Sequence, residues 1–481
     1  MPSPALAQDL RALLGPQGFL EAHPQRLSYE SDALGLVAQV PEWVLLPSDT
    51  QQAAECMRLL AREGVCVVPR GAGTGLSGGA TPVAGGVSVV TTRMRKILDI
   101  DPVNRLARVQ AGVVNVELSR AAARHGLFYA PDPSSQMACT LGGNVAENSG
   151  GPHGFKYGQT SRHVRGLVWV DARGEIIDQS DARLDPVGLD VLGLWIGSEG
   201  MLGLVTEVVL DLLPSPEVSE SMLAIFGSLQ AACEAVTELI ASGLQPSAIE
   251  ILDKLTIDAV EASVFAAGYP KDAEAVMLMD LDGSPAEVRE LGEQLETILK
   301  AHGSRELRRA TDPEQRRRLW AGRKGAYGAM GRLAPDLYVA DVVAPRTRLA
   351  EIVALSTAIC AELGLPCANV FHAGDGNLHP NISYDRRDAD QVRRVLLAGQ
   401  RIMAACVERG GTLTGEHGVG LEKRDAMCMV FRDEDLAVQE RVRQALDPGR
   451  RMNPGKMLPV RGCREMRTRS PYLPGMKEYD A

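Results

Sequence analysis

Residues 65 to 80 read VCVVPRGAGTGLSGGA, with Gly71, Gly73, Gly75, Gly78 and Gly79 crowded between Arg70 and Ala80. Gly73, Gly75 and Gly78 satisfy the spacing G-x-G-x-x-G. The dinucleotide use of that spacing needs a helix to start at the loop, so that its N-terminus meets a pyrophosphate. Here the chain runs on through Pro82 and Gly85-Gly86 into another strand, which rules out a Rossmann unit, and no Gly-Lys-Ser/Thr follows, which rules out a Walker loop. What remains is a run of exposed backbone amides whose glycines can take positive φ and curl into an anion-binding nest. Two more small-residue stretches, Thr140 to Gly151 and Gly197 to Gly203, repeat the texture. One such stretch alone is more often a tight helix–strand junction. Three in one domain favour a long cofactor lying against bare backbone.

The 481 residues exceed the usual reach of one hydrophobic core, so two or more domains are expected. From Pro41 the pattern is short strand, helix, strand: Val44 to Pro47, a Ser48-Asp49 cap, a helix through Leu60, then Val65 to Val68. Strands follow at Gly86 to Thr92, Arg105 to Gln110, Leu167 to Asp171 and Leu204 to Leu212, with a helix at Val116 to His125. Pro214-Ser215-Pro216 marks a boundary. Beyond it, helices at Leu229 to Ser242, Ala286 to Ala301, Thr347 to Leu363 and Ala389 to Arg409 alternate with strands at Ser221 to Ile225, Ala275 to Asp280, Tyr338 to Val343, Val370 to His372 and Leu378 to Ser383. The fold class is α+β, divided as an N-terminal helical segment 1–37, a glycine-loop domain 38–216, a second α+β domain 217–460 and a tail 461–481, extended or docked.

Acidic residues outnumber basic ones, 61 to 51, and only Arg316-Arg317-Arg318 clusters, so nucleic acid is excluded as a partner. Nine cysteines without a C-x-x-C pair argue against a disulfide framework, a zinc ribbon or an iron–sulfur ligand run, and fit a reducing cytosol. Met1 to Gly15 lacks the basic start and apolar stretch of a signal peptide, and no window reaches the roughly 18 apolar residues of a membrane span. Any membrane link is peripheral, at the inner face and through partners.

The most chemical segment is Asn369-Val370-Phe371-His372-Ala373-Gly374-Asp375-Gly376-Asn377-Leu378-His379-Pro380. If Gly374 to Asn377 form a four-residue hairpin loop, Ala373 pairs with Leu378 and His372 lies opposite His379, their Cβ atoms roughly 4.5–5.5 Å apart. Two imidazoles so placed can share a metal ion. Gly411 to Gly418 (GGTLTGEHG from Gly410) adds a carboxylate, Glu416, and a third imidazole, His417. Two histidines and a carboxylate leave coordination positions open for a substrate.

The motifs RGAGTGLSGGA, APDPSSQMACTLGGNVAENSGG, KYG, GSEGMLG, WAGRKGAY, NVFHAGDGNLHP, GGTLTGEHGVG and NPGK occur in that order. Together they resemble the flavin subunit of bacterial glycolate oxidase, in the vanillyl-alcohol-oxidase-type flavoprotein superfamily, with the D-lactate and D-2-hydroxyglutarate dehydrogenases as relatives. The resemblance spans about Tyr29 to Pro459. It implies a two-subdomain FAD-binding domain of PCMH type, followed by an α+β cap domain with an antiparallel sheet. Arg70, Gly71, Ala72, Gly73, Thr74, Gly75, Leu76, Ser77, Gly78 and Gly79 would hold the FAD pyrophosphate. Pro133, Ser134, Thr140, Gly143, Asn148, Gly151, Glu199 and Gly203 would line the cofactor, and Asn453 and Lys456 would approach the ring side. His153 matches no flavin-linking histidine of the superfamily, so FAD is expected to be noncovalent.

The resemblance further implies that His372, His379 and Glu416 hold a divalent ion (Zn, Mn or Fe), that His417 is the base, that Asn381 contacts substrate and that Arg323 clamps its carboxylate. Neighbouring side chains in an extended segment point to opposite sides, so Glu416 and His417 need not compete for one ligand position. A guanidinium grips a carboxylate through two parallel hydrogen bonds. Lone histidines in such a chain are ordinarily surface or hydrogen-bonded core residues, and His23, His125 and His302 read that way. Asp375 reads as a turn former, and Arg316 to Arg318 as a solvated helix face. A lysine that hydroxyglutarate enzymes use for a second carboxylate is absent from Tyr338-Val339-Ala340-Asp341, which favours small monocarboxylates such as glycolate or D-lactate. The expected reaction is oxidation of a 2-hydroxy acid to the 2-oxo acid. Alternatives are a D-2-hydroxyglutarate-type dehydrogenase, a non-catalytic flavin-binding subunit, or a nicotinamide or phosphoryl-transfer enzyme, the last disfavoured by the missing helix after the glycine loop. With no iron–sulfur ligand run in the chain, electrons leave the flavin to oxygen, a quinone, a cytochrome or a partner; the resemblance implies a separate iron–sulfur subunit, with a second flavin-type subunit as a further partner.

Overall fold

A computed structural model describes residues 2–181 and 188–460, so the tail from Arg461 lies outside the described residues. The chain forms two compact units. Residues up to Gly150, Gly158–Ser215 and those from Glu416 onward make the first, and Gly151–Tyr157 with Pro216–Gly415 make the second.

In the first unit, Asp49 accepts the Gln52 amide at 2.9 Å and starts the helix Thr50–Arg62. That helix buries Ala53, Ala54, Cys56, Met57, Leu59 and Leu60 in a core shared with Leu45, Val67, Val87 and Val89. Each large side chain so buried contributes about 1.5–3 kcal/mol. The sheet beneath runs Phe19–Leu20, Val44–Leu45, Val87–Val90, Val67–Arg70, and its last three strands are parallel. Val67–Arg70 therefore delivers the chain into the glycine loop, and after a connection without a helix Val87–Val90 runs parallel beside it. A five-stranded antiparallel sheet, in the order Ile97–Asp101, Leu106–Gln110, Leu204–Asp211, Val164–Val170, Ile176–Gln179, packs the helices Asn115–Ala123 and Leu141–Glu147 through Leu118, Leu141, Val145, Leu167 and Val208.

The sequence pattern suggests one break near residue 216, but the chain returns to the first unit at Glu416. Backbone pairing is the cause: the Val67 amide donates to the Arg451 carbonyl at 2.8 Å, and the Asn453 amide donates to the Val67 carbonyl at 2.7 Å.

The second unit is an antiparallel sheet in the order Ser304–Ala310, Val218–Phe226, Ala275–Gly283, Ala248–Asp253, Cys367–His372, Asn377–Leu378, Val342–Val343, with Pro380–Tyr384 pairing Cys367–His372 and Asp336–Val339. The helices Leu229–Ala241, Pro285–Ala301, Leu349–Glu362 and Ala389–Glu408 fall where periodicity puts them. Two expected strands are interrupted, one at Ala340-Asp341 and one at His379. Arg316 departs from the solvated-face reading: it is half-buried and pairs with Asp280 at 3.2 Å, beside the Trp320 indole that donates to the same carboxylate at 2.7 Å. Among the described residues seven cysteines are free thiols.

Candidate functional site

The glycine loop of the first unit is built as a cradle from below. Arg70 is buried; its Nη1 donates to the Ser31 carbonyl at 2.8 Å and to Ala80 at 3.4 Å, and its guanidinium lies over the Tyr29 ring. The side chain thus stiffens the loop, which leaves the backbone amides as the anion donors. Of the five glycines only Gly73 (φ 74°) and Gly78 (φ 81°) take positive φ. A Cβ on Gly73 would collide with the Arg70 guanidinium, and one on Gly71 with the Thr140 hydroxyl. The hydroxyls of Ser77 and Thr140 are buried without a hydrogen-bond partner. Bare backbone flanked by two unsatisfied hydroxyls fits a phosphate-bearing cofactor. Gly73→Ala is expected to lower FAD affinity about tenfold or more, since a residue forced into the left-handed region costs about 1–2 kcal/mol before any clash. Flavin absorbance per protein after gel filtration reads the outcome, and wild-type occupancy would refute it.

Other residues expected at the cofactor also make bonds within the unit. The Asn453 Nδ2 donates to the Gly79 carbonyl at 2.9 Å and to the Glu199 carbonyl at 2.6 Å, tying two loops together. Lys456, fully buried, donates to Asn453 Oδ1 at 2.6 Å and to the Thr81 carbonyl. Burial pulls its amine down to about 7, against the opposing pull of Asp32, Glu199 and Glu147. Asn148 caps the helix Leu141–Glu147 in the left-handed conformation, and its amide group holds Gln159 and the Ser161 amide. A Cβ on Gly203 would press on the Val170 carbonyl and Trp195, and one on Gly143 on Thr140. Pro133 is buried, Ser134 exposed, and Gly151 belongs to the second unit.

In the second unit the hairpin register differs from the expected one. His372 pairs with Asn377, and Asn369 with Pro380, so the loop is Ala373 to Gly376 and His379 is not directly opposite His372. The shift is by two residues, an even number, which keeps both imidazoles on one face as diagonal neighbours. Their ring centroids are 5.1 Å apart with the planes perpendicular. Arg346 donates to the Gly374 carbonyl at 3.0 Å and steadies the loop.

Glu250 is the residue that sequence reasoning missed. It sits on Ala248–Asp253, in register opposite His372, with no solvent exposure. Its two carboxylate oxygens split between His372 Nδ1 and Arg323 Nε, each at 2.5 Å. Burial alone would raise its carboxyl pKa, but Arg323 and His372 overrule burial and hold it below the usual carboxylate range. The bond at Nδ1 orients the ring. The bond at Nε sets the plane of the Arg323 guanidinium. A signal was present: in AIEILD Glu250 stands between apolar neighbours in mid-strand, with Asp253 at the strand's end, and a charge there needs a buried partner.

Asp341, fully buried at the strand interruption, does the same for the following loop. It accepts the Thr414 hydroxyl at 2.7 Å and the Gly415 amide at 2.9 Å, and stands 3.9 Å from His379 Nδ1. The Asn377 amide group occupies the space a side chain on residue 415 would need, so only glycine fits immediately before Glu416. Asn381 donates to the His379 carbonyl at 2.6 Å. His372, His379 and Asp341 belong to the second unit, and Glu416 and His417 to the first.

Two family models match the chain: the FAD binding domain over residues 41–180, and the C-terminal domain of FAD linked oxidases over 215–457. Glycolate oxidase subunit GlcD of Escherichia coli strain K12 is 44% identical over 442 residues, covering 92% of this chain and 88% of that protein. The protein of the same name from Bacillus subtilis is 37% identical, covering 94% and 96%, and a D-lactate dehydrogenase of Anaerostipes hadrus is 32% identical, covering 87% and 89%. Among solved structures, p-cresol methylhydroxylase with substrate bound superposes with a TM-score of 0.80 at 16% identity, over 95% of this chain and 97% of that one. The 4-ethylphenol oxidase of Gulosibacter chungangensis gives 0.78 at 18%, over 94% and 96%. These two structures share the fold.

Proposed function

The chain belongs to the FAD-linked oxidases that include glycolate oxidase subunit GlcD and D-lactate dehydrogenase, and from that membership we propose that it oxidises a small 2-hydroxy acid, glycolate or D-lactate, to the 2-oxo acid. The observation that carries the proposal is the buried Glu250 carboxylate, which orients a histidine and an arginine at once, in a chain whose other unit cradles a phosphate-bearing cofactor.

His372, His379 and Glu416 would hold a divalent ion, and the glycine loop noncovalent FAD. When bound, the flavin supplies a hydride acceptor at N5 and the ion a Lewis acid that acidifies the α-hydroxyl. Arg323, its plane set by Glu250, grips the substrate carboxylate and fixes the α-carbon. His417 takes the hydroxyl proton. Asn381 contacts substrate while its bond to the His379 carbonyl steadies the interruption between the two short strands. Asp341 spends its carboxylate inside the protein, so the Tyr338 to Asp341 stretch offers no cation for a second substrate carboxylate, which favours monocarboxylates over hydroxyglutarate.

The relatives from E. coli and B. subtilis are named as subunits, which supports assembly with partner chains; an iron–sulfur subunit as the electron exit and a second flavin-type subunit are part of the proposal. Among the described residues no helix is long and apolar enough to cross a membrane, and a cytoplasmic location with attachment through partners is part of the proposal. The purified protein is expected to be yellow and to bleach anaerobically with glycolate or D-lactate. Dialysis against a chelator should abolish bleaching, and Zn, Mn or Fe should restore it. A yellow protein that no short 2-hydroxy acid bleaches would overturn the proposal.

A further inference from the structure

We propose that Glu199 is a positioning residue for His417, acting through the backbone that follows it. This rests on the assignment of His417 as the base. Glu199 is 4% exposed, and its backbone sits in the left-handed region at φ 50°, where a glutamate is uncommon and strain points to a role. The surroundings fix that conformation: its amide donates to the Ala146 carbonyl at 2.8 Å, and its carbonyl accepts from Asn453 at 2.6 Å.

The side chain then does one thing. Its two oxygens accept the backbone amides of Val419 at 2.6 Å and Gly420 at 2.7 Å, two and three residues after His417. Both bonds are shorter than the ordinary amide–carbonyl distance. Gly418, at φ 81°, brings the backbone so close that a Cβ there would strike the carboxyls of Glu147 and Glu199. One step further, the Leu421 and Glu422 amides donate to the Ser77 carbonyl at 2.8 and 3.1 Å. The segment after His417 is therefore nailed to the interior of the first unit, with Glu199 as the nearest fastening. The family resemblance assigns Glu199 to the cofactor, whereas both of its oxygens are engaged by the loop.

A base works only within hydrogen-bond reach of the proton it takes, and a displacement of about 1 Å can cost about 100-fold in rate. Glu199→Gln presents one oxygen and one NH2 to two N–H donors, so one bond is lost and two donors face each other. In the flavin-loaded full chain, E199Q is expected to keep its flavin content and its KM for glycolate or D-lactate. Anaerobic flavin reduction per bound flavin should fall about 100-fold. The limb of the pH–rate profile set by the base should shift, and hydrogen exchange should quicken at Val419 and Gly420. Loss of flavin in proportion to activity, with a wild-type rate per bound flavin, would overturn the proposal in favour of a cofactor contact. A wild-type rate with wild-type flavin would overturn it outright. If E199Q does not fold, exchange in the wild-type chain decides: Val419 and Gly420 amides should be among the protected ones, and exchange as fast as exposed loops refutes the fastening. His417→Asn measured alongside separates the two claims, because an unimpaired H417N sinks the base assignment whatever E199Q does.

Discussion

Glu250→Gln is expected to be among the most damaging single substitutions in the second unit. The carboxylate is fully buried and is shared by Arg323 and His372. An amide keeps one acceptor and no charge, so the buried Arg323 guanidinium is left uncompensated. Breaking a buried pair in this way costs about 3–5 kcal/mol, and removing the carboxylate behind a metal-binding histidine costs about 10–100-fold in metal affinity. The pH dependence has a definite sign. Glu250 titrates below its ordinary value of 4.5, so its contribution is complete above that value in the wild type and is lost as pH falls through the depressed folded-state pKa. Urea unfolding at pH 7 and at low pH should show the wild-type advantage over E250Q shrinking with acid, and metal content after dialysis should fall in the variant. An E250Q protein as stable as wild type that keeps its metal would show that the bridge supports neither Arg323 nor His372.

His417→Asn is expected to lower turnover by about 10²–10⁴-fold, the usual worth of a positioned general base, while FAD stays bound. Asparagine keeps a polar side chain of moderate size and cannot take a proton. The loop around it should persist, because Asp341 holds Gly415, and Glu199 holds Val419 and Gly420. Stopped-flow reduction under anaerobic conditions isolates the step, since flavin spectrum and occupancy report the cofactor separately. Turnover within a factor of a few of wild type would remove His417 from the chemistry and leave the proton to another group.

Local signals were legible where one stretch of chain contains the whole cause. Asp49 announces the helix Thr50–Arg62, because a cap and an apolar period need only neighbours a few residues away. The strand on each side of the glycine loop follows from the absence of a helix signal after Gly79. Register was less legible. His372 and His379 share a face, yet the hairpin pairs His372 with Asn377, because Asn377–Leu378 pairs with Val342–Val343 and Pro380–Tyr384 pairs with both Asp336–Val339 and Cys367–His372. The partner strands, rather than the turn, select the register.

Periodicity by itself determined an α+β chain with two histidines on one face of a hairpin, and the order of the motifs carried the resemblance to the FAD-linked oxidases. Only the tertiary structure decided that Glu250, 122 positions before His372, stands behind it, that Arg316 turns inward to Asp280, and that the chain from Glu416 returns to the first unit. The physical reason is the same in each case. A buried charge is stable only beside a partner that compensates its lost hydration, and partners brought together from distant segments are set by sheet order and packing rather than by spacing along the chain.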